Sequence, residues 1–312
     1  MSDTDATRMP LGSNAIAKLI VKDACANGNA FTDLELERST PFRNRPETLL
    51  APQEDNKFFE IVTPETLPAE SMHLHLSLGS ELAFSPFGRV YDVKVDGGRS
   101  SPDLMNVAIP PLILKVSPPN KTYKNAREAF YYEKMPELQG VVIPRYYGVF
   151  HATIPSGFRF RFWTPEKIIG GPSDGDSDYE DHFAIPRVIT ILVLERVGPK
   201  YLPLGRSLHQ DEQEELSAML SDIARHRICH GDIRYTNILS APARSPEFPR
   251  LRSPYTKRKY HWRIVDFGEA YESTMSKDRF AKHIERALRD LFTELRERRM
   301  MRSMNLSRGE KA

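Results

Sequence analysis

His230-Gly231-Asp232-Ile233-Arg234-Tyr235-Thr236-Asn237-Ile238-Leu239, followed by Arg263-Ile264-Val265-Asp266-Phe267-Gly268, decides how the rest of the chain is read. The first stretch follows a segment from Asp211 to His226 in which Leu216, Met219, Leu220 and Ile223 recur at the spacing of one buried helix face. Both sets of polar residues read as lying at the ends of short strands, which fix them on rigid supports. An Asp, an Asn five residues on and a second Asp in a strand-terminal Asp-Phe-Gly make up the set that phosphoryl transfer requires. One carboxylate orients the attacking hydroxyl and accepts its proton. A second carboxylate and an amide hold magnesium on the phosphates.

These stretches resemble the catalytic and magnesium loops of the eukaryotic protein-kinase-like superfamily, His-x-Asp-x-Lys/Arg-x-x-Asn followed by Asp-Phe-Gly. The chain looks most like the small atypical kinase-like proteins of fungi, over roughly residues 75 to 270 and with the motifs in the family's order. The resemblance implies an α+β, two-lobed protein-kinase-like fold with a strand-rich N-lobe and a shortened helical C-lobe. It makes Asp232 the catalytic base, gives Asn237 and Asp266 to magnesium, and puts Arg234 where a lysine usually contacts the γ-phosphate. Lys115, in Leu112-Ile113-Leu114-Lys115-Val116, matches the strand lysine that contacts the α- and β-phosphates; without the downstream motifs it would read as a solvent-facing strand lysine. Glu128 on the next helix would form the ion pair that aims Lys115, with Glu133 as the fallback. Leu194-Glu195-Arg196-Val197 resembles the hinge, where backbone groups of Glu195 and Val197 would meet adenine and Leu194 would border it. ATP and magnesium are the implied substrate and cofactor, and a protein serine or threonine is the implied acceptor.

The chain departs from the family in several places. Aligning Gly88 and Val90 with the end of the glycine-rich loop leaves Ala83 and Ser85 where its first two glycines belong; using Gly79 as the first glycine is the other alignment. Alanine and serine restrict close backbone approach to phosphate. His-Gly-Asp stands for His-Arg-Asp, so no arginine reads a phosphorylated loop. No Ala-Pro-Glu follows Gly268, and Phe280 to Arg299 already reads as a helix. A pseudokinase that binds nucleotide or protein, and a small-molecule kinase, therefore stand beside the protein-kinase reading.

Composition sets the frame. The 312 residues are 40% hydrophobic and 28% charged, with a net charge of +2. That suffices for a sizeable core and gives no reason to expect a nucleic-acid or membrane partner. Two distant cysteines, Cys25 and Cys229, exclude a disulfide scaffold and point to a reducing, intracellular location, cytoplasmic or nuclear. The N-terminus lacks the apolar stretch of a signal peptide.

The expected organisation has three parts. Residues 1–70 form a partly disordered extension with one helix on Ala15, Ile16, Leu19, Ile20 and Ala24. Residues 71–198 run from the N-lobe to the hinge, with strands at 73–78, 88–95, 112–116, 141–143 and 188–194, a helix at 124–138, and an acidic loop at 170–181. Residues 199–312 form the shortened C-lobe, with a solvated basic insertion from Ala241 to Tyr260 and a terminal helix carrying Arg296, Arg298, Arg299 and Arg302. A zinc site at His226, Cys229 and His230 is rejected, because Cys229 and His230 match a buried residue and a catalytic-loop brace.

Overall fold

The structure, a computed structural model, describes residues 8–39, 72–85, 88–97, 106–117, 122–161, 188–202 and 207–309. The acidic loop at 170–181 and the second half of the extension lie outside the described residues, as does the Arg302 side chain. The strands are β1 (Met9–Pro10), β2 (Ile16–Asn27), β3 (Ala30–Ser39), β4 (Met72–Ser85), β5 (Gly88–Val95), β6 (Val107–Ala108), β7 (Leu112–Ser117), β8 (Tyr146–Thr153), β9 (Arg159–Phe160), β10 (Val188–Glu195), β11 (Ile228–Cys229), β12 (Ile238–Ser240), β13 (Trp262–Ile264) and β14 (Tyr271–Glu272). The helices are α1 (Thr122–Lys134), α2 (Gln210–Ala224) and α3 (Lys277–Gly309). Two compact units result: the described residues through 129, with those from 146 to 196, make the first, and 130–145 with those from 197 onward make the second. Among the described residues no helix is long and apolar enough to cross a membrane.

The first unit is a closed barrel of seven strands. Its order is β3-β8-β10-β7-β5-β4-β2, and β2 pairs back onto β3. Closure is made by the β2–β3 hairpin and by β3 on β8, where Glu37 faces His151 and Arg38 faces Phe150. Leu19 and Val21 from β2, Leu34 and Leu36 from β3, Leu74 and Leu76 from β4, and Leu114 and Val116 from β7 turn into one core, as alternation along a strand requires. Arg38 clasps the seam by donating to the carbonyls of Ile16 and Tyr147, each at 2.9 Å.

This closure corrects the expected two-lobed protein-kinase-like fold. The chain is a mixed α+β protein whose strand-rich part is a barrel, and the N-terminal hairpin is part of its wall. The expected helix on Ala15 to Ala24 is strand β2. Two bulges, between Ile16 and Lys18 against β4 and between Val21 and Cys25 against β3, disturb the alternation. Buried residues then fall at Ala15, Ile16, Leu19, Ile20 and Ala24, a spacing that imitates one helix face. The expected strand at 141–143 is a turn with a single bridge between Ile143 and Gln139.

In the second unit α2 packs on α3, and β11–β14 and β12–β13 form two short ladders. The buried Arg263 guanidinium donates to the Gly140 carbonyl at 2.7 Å, and Ile264 N–H donates to Val142 O at 2.8 Å, so the 139–143 turn is stapled to β13. The insertion at 241–260 is anchored rather than merely solvated. Tyr260 is buried and donates to Asp222 at 2.8 Å, and Tyr255 OH reaches Glu137 at 2.9 Å.

Candidate active site

The second unit gathers Asp232, Arg234, Asn237 and Asp266. Pairing of β12 with β13, Ile238 against Ile264, brings the ends of the two loops together, and Val265 N–H donates to Asn237 O at 2.9 Å. Asp266 follows in the left-handed region, with φ 69° and ψ 68°, an uncommon conformation for a non-glycine residue. His230 spans both loops from a buried position. One ring nitrogen lies 2.9 Å from Val265 O, the other accepts the Asp232 amide at 3.3 Å, and the ring packs on Phe267 at 4.7 Å.

Side chains of the loop bond one another. Arg234 Nε and Nη2 donate to Asp232 Oδ1 at 2.8 and 2.5 Å. That carboxylate, with Asp266 and Glu294 nearby, raises the guanidinium pKa. Asn237 Nδ2 donates to Asp232 O at 2.9 Å and Oδ2 at 3.2 Å. The Asn237 side-chain oxygen Oδ1 therefore points away from Asp232 and has no protein partner among the described residues. This side-chain oxygen and the Asp266 carboxylate are hard oxygen donors, the type magnesium takes. Among the described residues no group of three or more His, Cys, Asp or Glu could hold a metal ion.

The first unit holds the other pair. Lys115 is on the outer face of β7, between the inward Leu114 and Val116, and its ammonium meets Glu128 of α1 at 2.5 Å. Asn125, fully buried, clamps α1 by donating to Lys115 O at 2.9 Å and Thr190 O at 3.1 Å. Leu194 and Glu195 end β10, buried, opposite Ile113 and Leu112, and Arg196 N–H is taken by Pro111 O at 2.8 Å. Val197 follows, half-buried, in the second unit.

Gly88 begins β5 opposite Ser85, and Val90 lies between Ala83 and Lys115. A Cβ on Gly88 would meet Val116 O at 2.9 Å, so this glycine is explained by close packing of β5 on β7.

Three contributors escaped sequence reading. Asn125 is one; its signal was a polar residue on the α1 face that carries Glu128. Glu294 is another: from α3 its carboxylate accepts the Tyr235 amide at 3.3 Å, while Arg298 lies 4.6 Å over the Tyr235 ring. The third is the steric need for Gly231, whose φ is 78° and whose Cβ would overlap Glu269 O at 2.1 Å. No protein-family model matches this chain, and no curated protein matches it.

Proposed function

We propose that this chain transfers the γ-phosphoryl group of ATP to an alcohol hydroxyl in a magnesium-dependent reaction, with a protein serine or threonine as the acceptor. The observation that carries the reading is the Asn237 amide. Its nitrogen is committed to Asp232, so its side-chain oxygen would be the atom to serve magnesium, together with the Asp266 carboxylate. The reading rests on the chemistry of these loops and owes nothing to the barrel.

Bound magnesium would neutralise phosphate charge as the phosphoryl group moves. Asp232 orients the acceptor hydroxyl and takes its proton on a carboxylate oxygen. Oδ1 is covered by Arg234, whose side chain is 54% exposed and can turn outward. A phosphate competes for a guanidinium as a bidentate partner, so arrival of ATP uncovers Oδ1 while Arg234 moves to the transferring group. Asn237 keeps the carboxylate in place through Oδ2 during that exchange.

The test is a thermal-unfolding titration with ATP, with and without magnesium. A magnesium-dependent rise in Tm that Asp266→Ala removes is the expected result. No rise at millimolar ATP would overturn the reading and favour a partner-binding module.

A further inference from the structure

A second polar site lies on the outer wall of the barrel, wholly within the first unit. Parallel pairing of β2 with β4 ends at Val21 against Leu76, so Lys22 stands beside Ser77. Across the next ladder Ser77 faces Lys94 of β5. Lys22, Ser77 and Lys94 thus form one row over three strands, with their side chains on the face opposite the inward Val21 and Leu76. Ser77 and Lys94 are cross-strand partners, and Lys22 is the residue that follows the last paired position of β2. Lysine side chains are long enough to reach one small anion over this cavity from either side of Ser77.

The row opens onto a cavity of about 310 Å³ lined by Lys22, Asp33, His75, Ser77, Lys94 and Asp96. The gap exists because β2 leaves β4 here. Asp23 takes a positive φ of 50° at the bulge, its amide is held by Asp33 Oδ1 at 2.9 Å, and β2 continues against β9 through Cys25 and Phe160. This volume is at the lower end of small-molecule sites.

The cavity carries two exposed ammonium groups, Lys22 and Lys94, and two carboxylates, Asp33 and Asp96. The Lys22 ammonium, the Lys94 ammonium and the Ser77 hydroxyl have no partner among the described residues. Asp33 is already an acceptor for Asp23, and Asp96 has its own contact. Elsewhere in the barrel Lys18 pairs with Glu35 and Glu37 at 3.2 and 2.9 Å, and Arg196 with Asp92 at 2.7 Å. Two ammonium groups and a hydroxyl donor on one face are the donor chemistry that takes an anion.

We propose that Lys22, Ser77 and Lys94 bind the phosphate group of a small ligand on the barrel wall, independently of the phosphotransferase reading. The ligand is free phosphate or a phosphorylated small molecule, and two probes separate these sources. The full chain carrying Asp266→Ala is titrated with inorganic phosphate and with glucose 6-phosphate at constant ionic strength, and Tm is followed. A saturable rise at equal concentrations of both probes identifies free phosphate as the ligand chemistry. A rise at lower sugar-phosphate concentration identifies a phosphorylated small molecule. Lys22→Gln with Lys94→Gln should weaken either response about tenfold, while Lys22→Arg with Lys94→Arg retains it. No saturable rise by about 10 mM of either probe, or a rise unchanged in the double glutamine variant, overturns the proposal. Because Asp266→Ala already removes the magnesium-dependent response, failure here leaves that reading untouched, and the converse holds too.

Discussion

Glu128 holds its carboxylate 2.5 Å from the Lys115 ammonium with only 1% of its side chain exposed, while Lys115 keeps 16%. The acid is the deeply buried partner, so the lysine neutralises it in place. Removing one member of such a pair strands a buried charge and costs about 3–5 kcal/mol, whereas replacing both by apolar groups is often neutral. Lys115→Met is therefore expected to destabilise the chain strongly, and Lys115→Met with Glu128→Leu to recover most of the loss. Urea denaturation of the parent and the two variants decides it: Lys115→Met within about 1 kcal/mol of the parent would mean that water reaches Glu128.

Asp232→Asn separates chemistry from binding. The amide keeps the size of the side chain but cannot take a proton. Transfer of labelled γ-phosphate should fall about 10²- to 10⁴-fold, the range for losing a general base. The magnesium-dependent rise in Tm with ATP should persist. Undiminished transfer would remove Asp232 from the proton path.

Gly231 is where the sequence differs from His-Arg-Asp, and the structure gives a steric reason. With φ at 78° and Glu269 O at 2.1 Å from any Cβ, a side chain forces apart the loops that carry Asp232 and Asp266. Gly231→Ala should cost about 2–4 kcal/mol from positive φ and overlap together. A neutral Gly231→Ala in thermal unfolding would show that the Glu269 backbone yields freely.

The loop constellation was legible because its chemistry is local. Asp232 and Asn237 are five residues apart, and strand pairing of Ile238 with Ile264 fixes where Asp266 must come. The barrel was not legible, because closure depends on pairing between residues far apart, such as Arg38 with Phe150, which periodicity cannot report. The bulges in β2 went further and replaced alternation with a helix-like spacing. The anchoring of the 241–260 insertion was hidden for a related reason. Its basic residues dominate the composition, while Ser253 and Tyr260, the residues that tie it down, are ordinary in sequence and buried in the fold.

Cys25 and Cys229 are buried, and desolvation pushes each thiol up to about 11. Thiolate is the reactive form, so at pH 8 both are expected to resist a thiol reagent in the native chain and to react at once in denaturant. Stoichiometric labelling of either cysteine before unfolding would contradict their placement in the β2 wall and in β11.

Acid stability turns on His226. Its ring is packed against Tyr255, whose hydroxyl is 3.1 Å from Nε2, and Glu137 lies 3.4 Å away. Burial lowers the pKa and outweighs the Glu137 and Asp222 charges and a hydrogen bond with the Lys134 backbone, which raise it, while the Lys134 charge acts with burial. Desolvation lowers His283 in the same way, aided by Arg286. For a histidine depressed in the folded state, the unfolded chain takes up the proton first. Stability is thus complete above the unfolded value of about 6.5 and is lost as pH falls from there through the lower folded value, with a limiting slope of about 1.4 kcal/mol per pH unit for each proton. His226→Gln keeps a polar partner for Tyr255 and removes one titration, so it should flatten the fall in stability between pH 7.5 and 5.5. Equal slopes for the variant and the parent in denaturant unfolding at the two pH values would show that His226 titrates alike in both states, and the insertion would then owe nothing to its neutral ring.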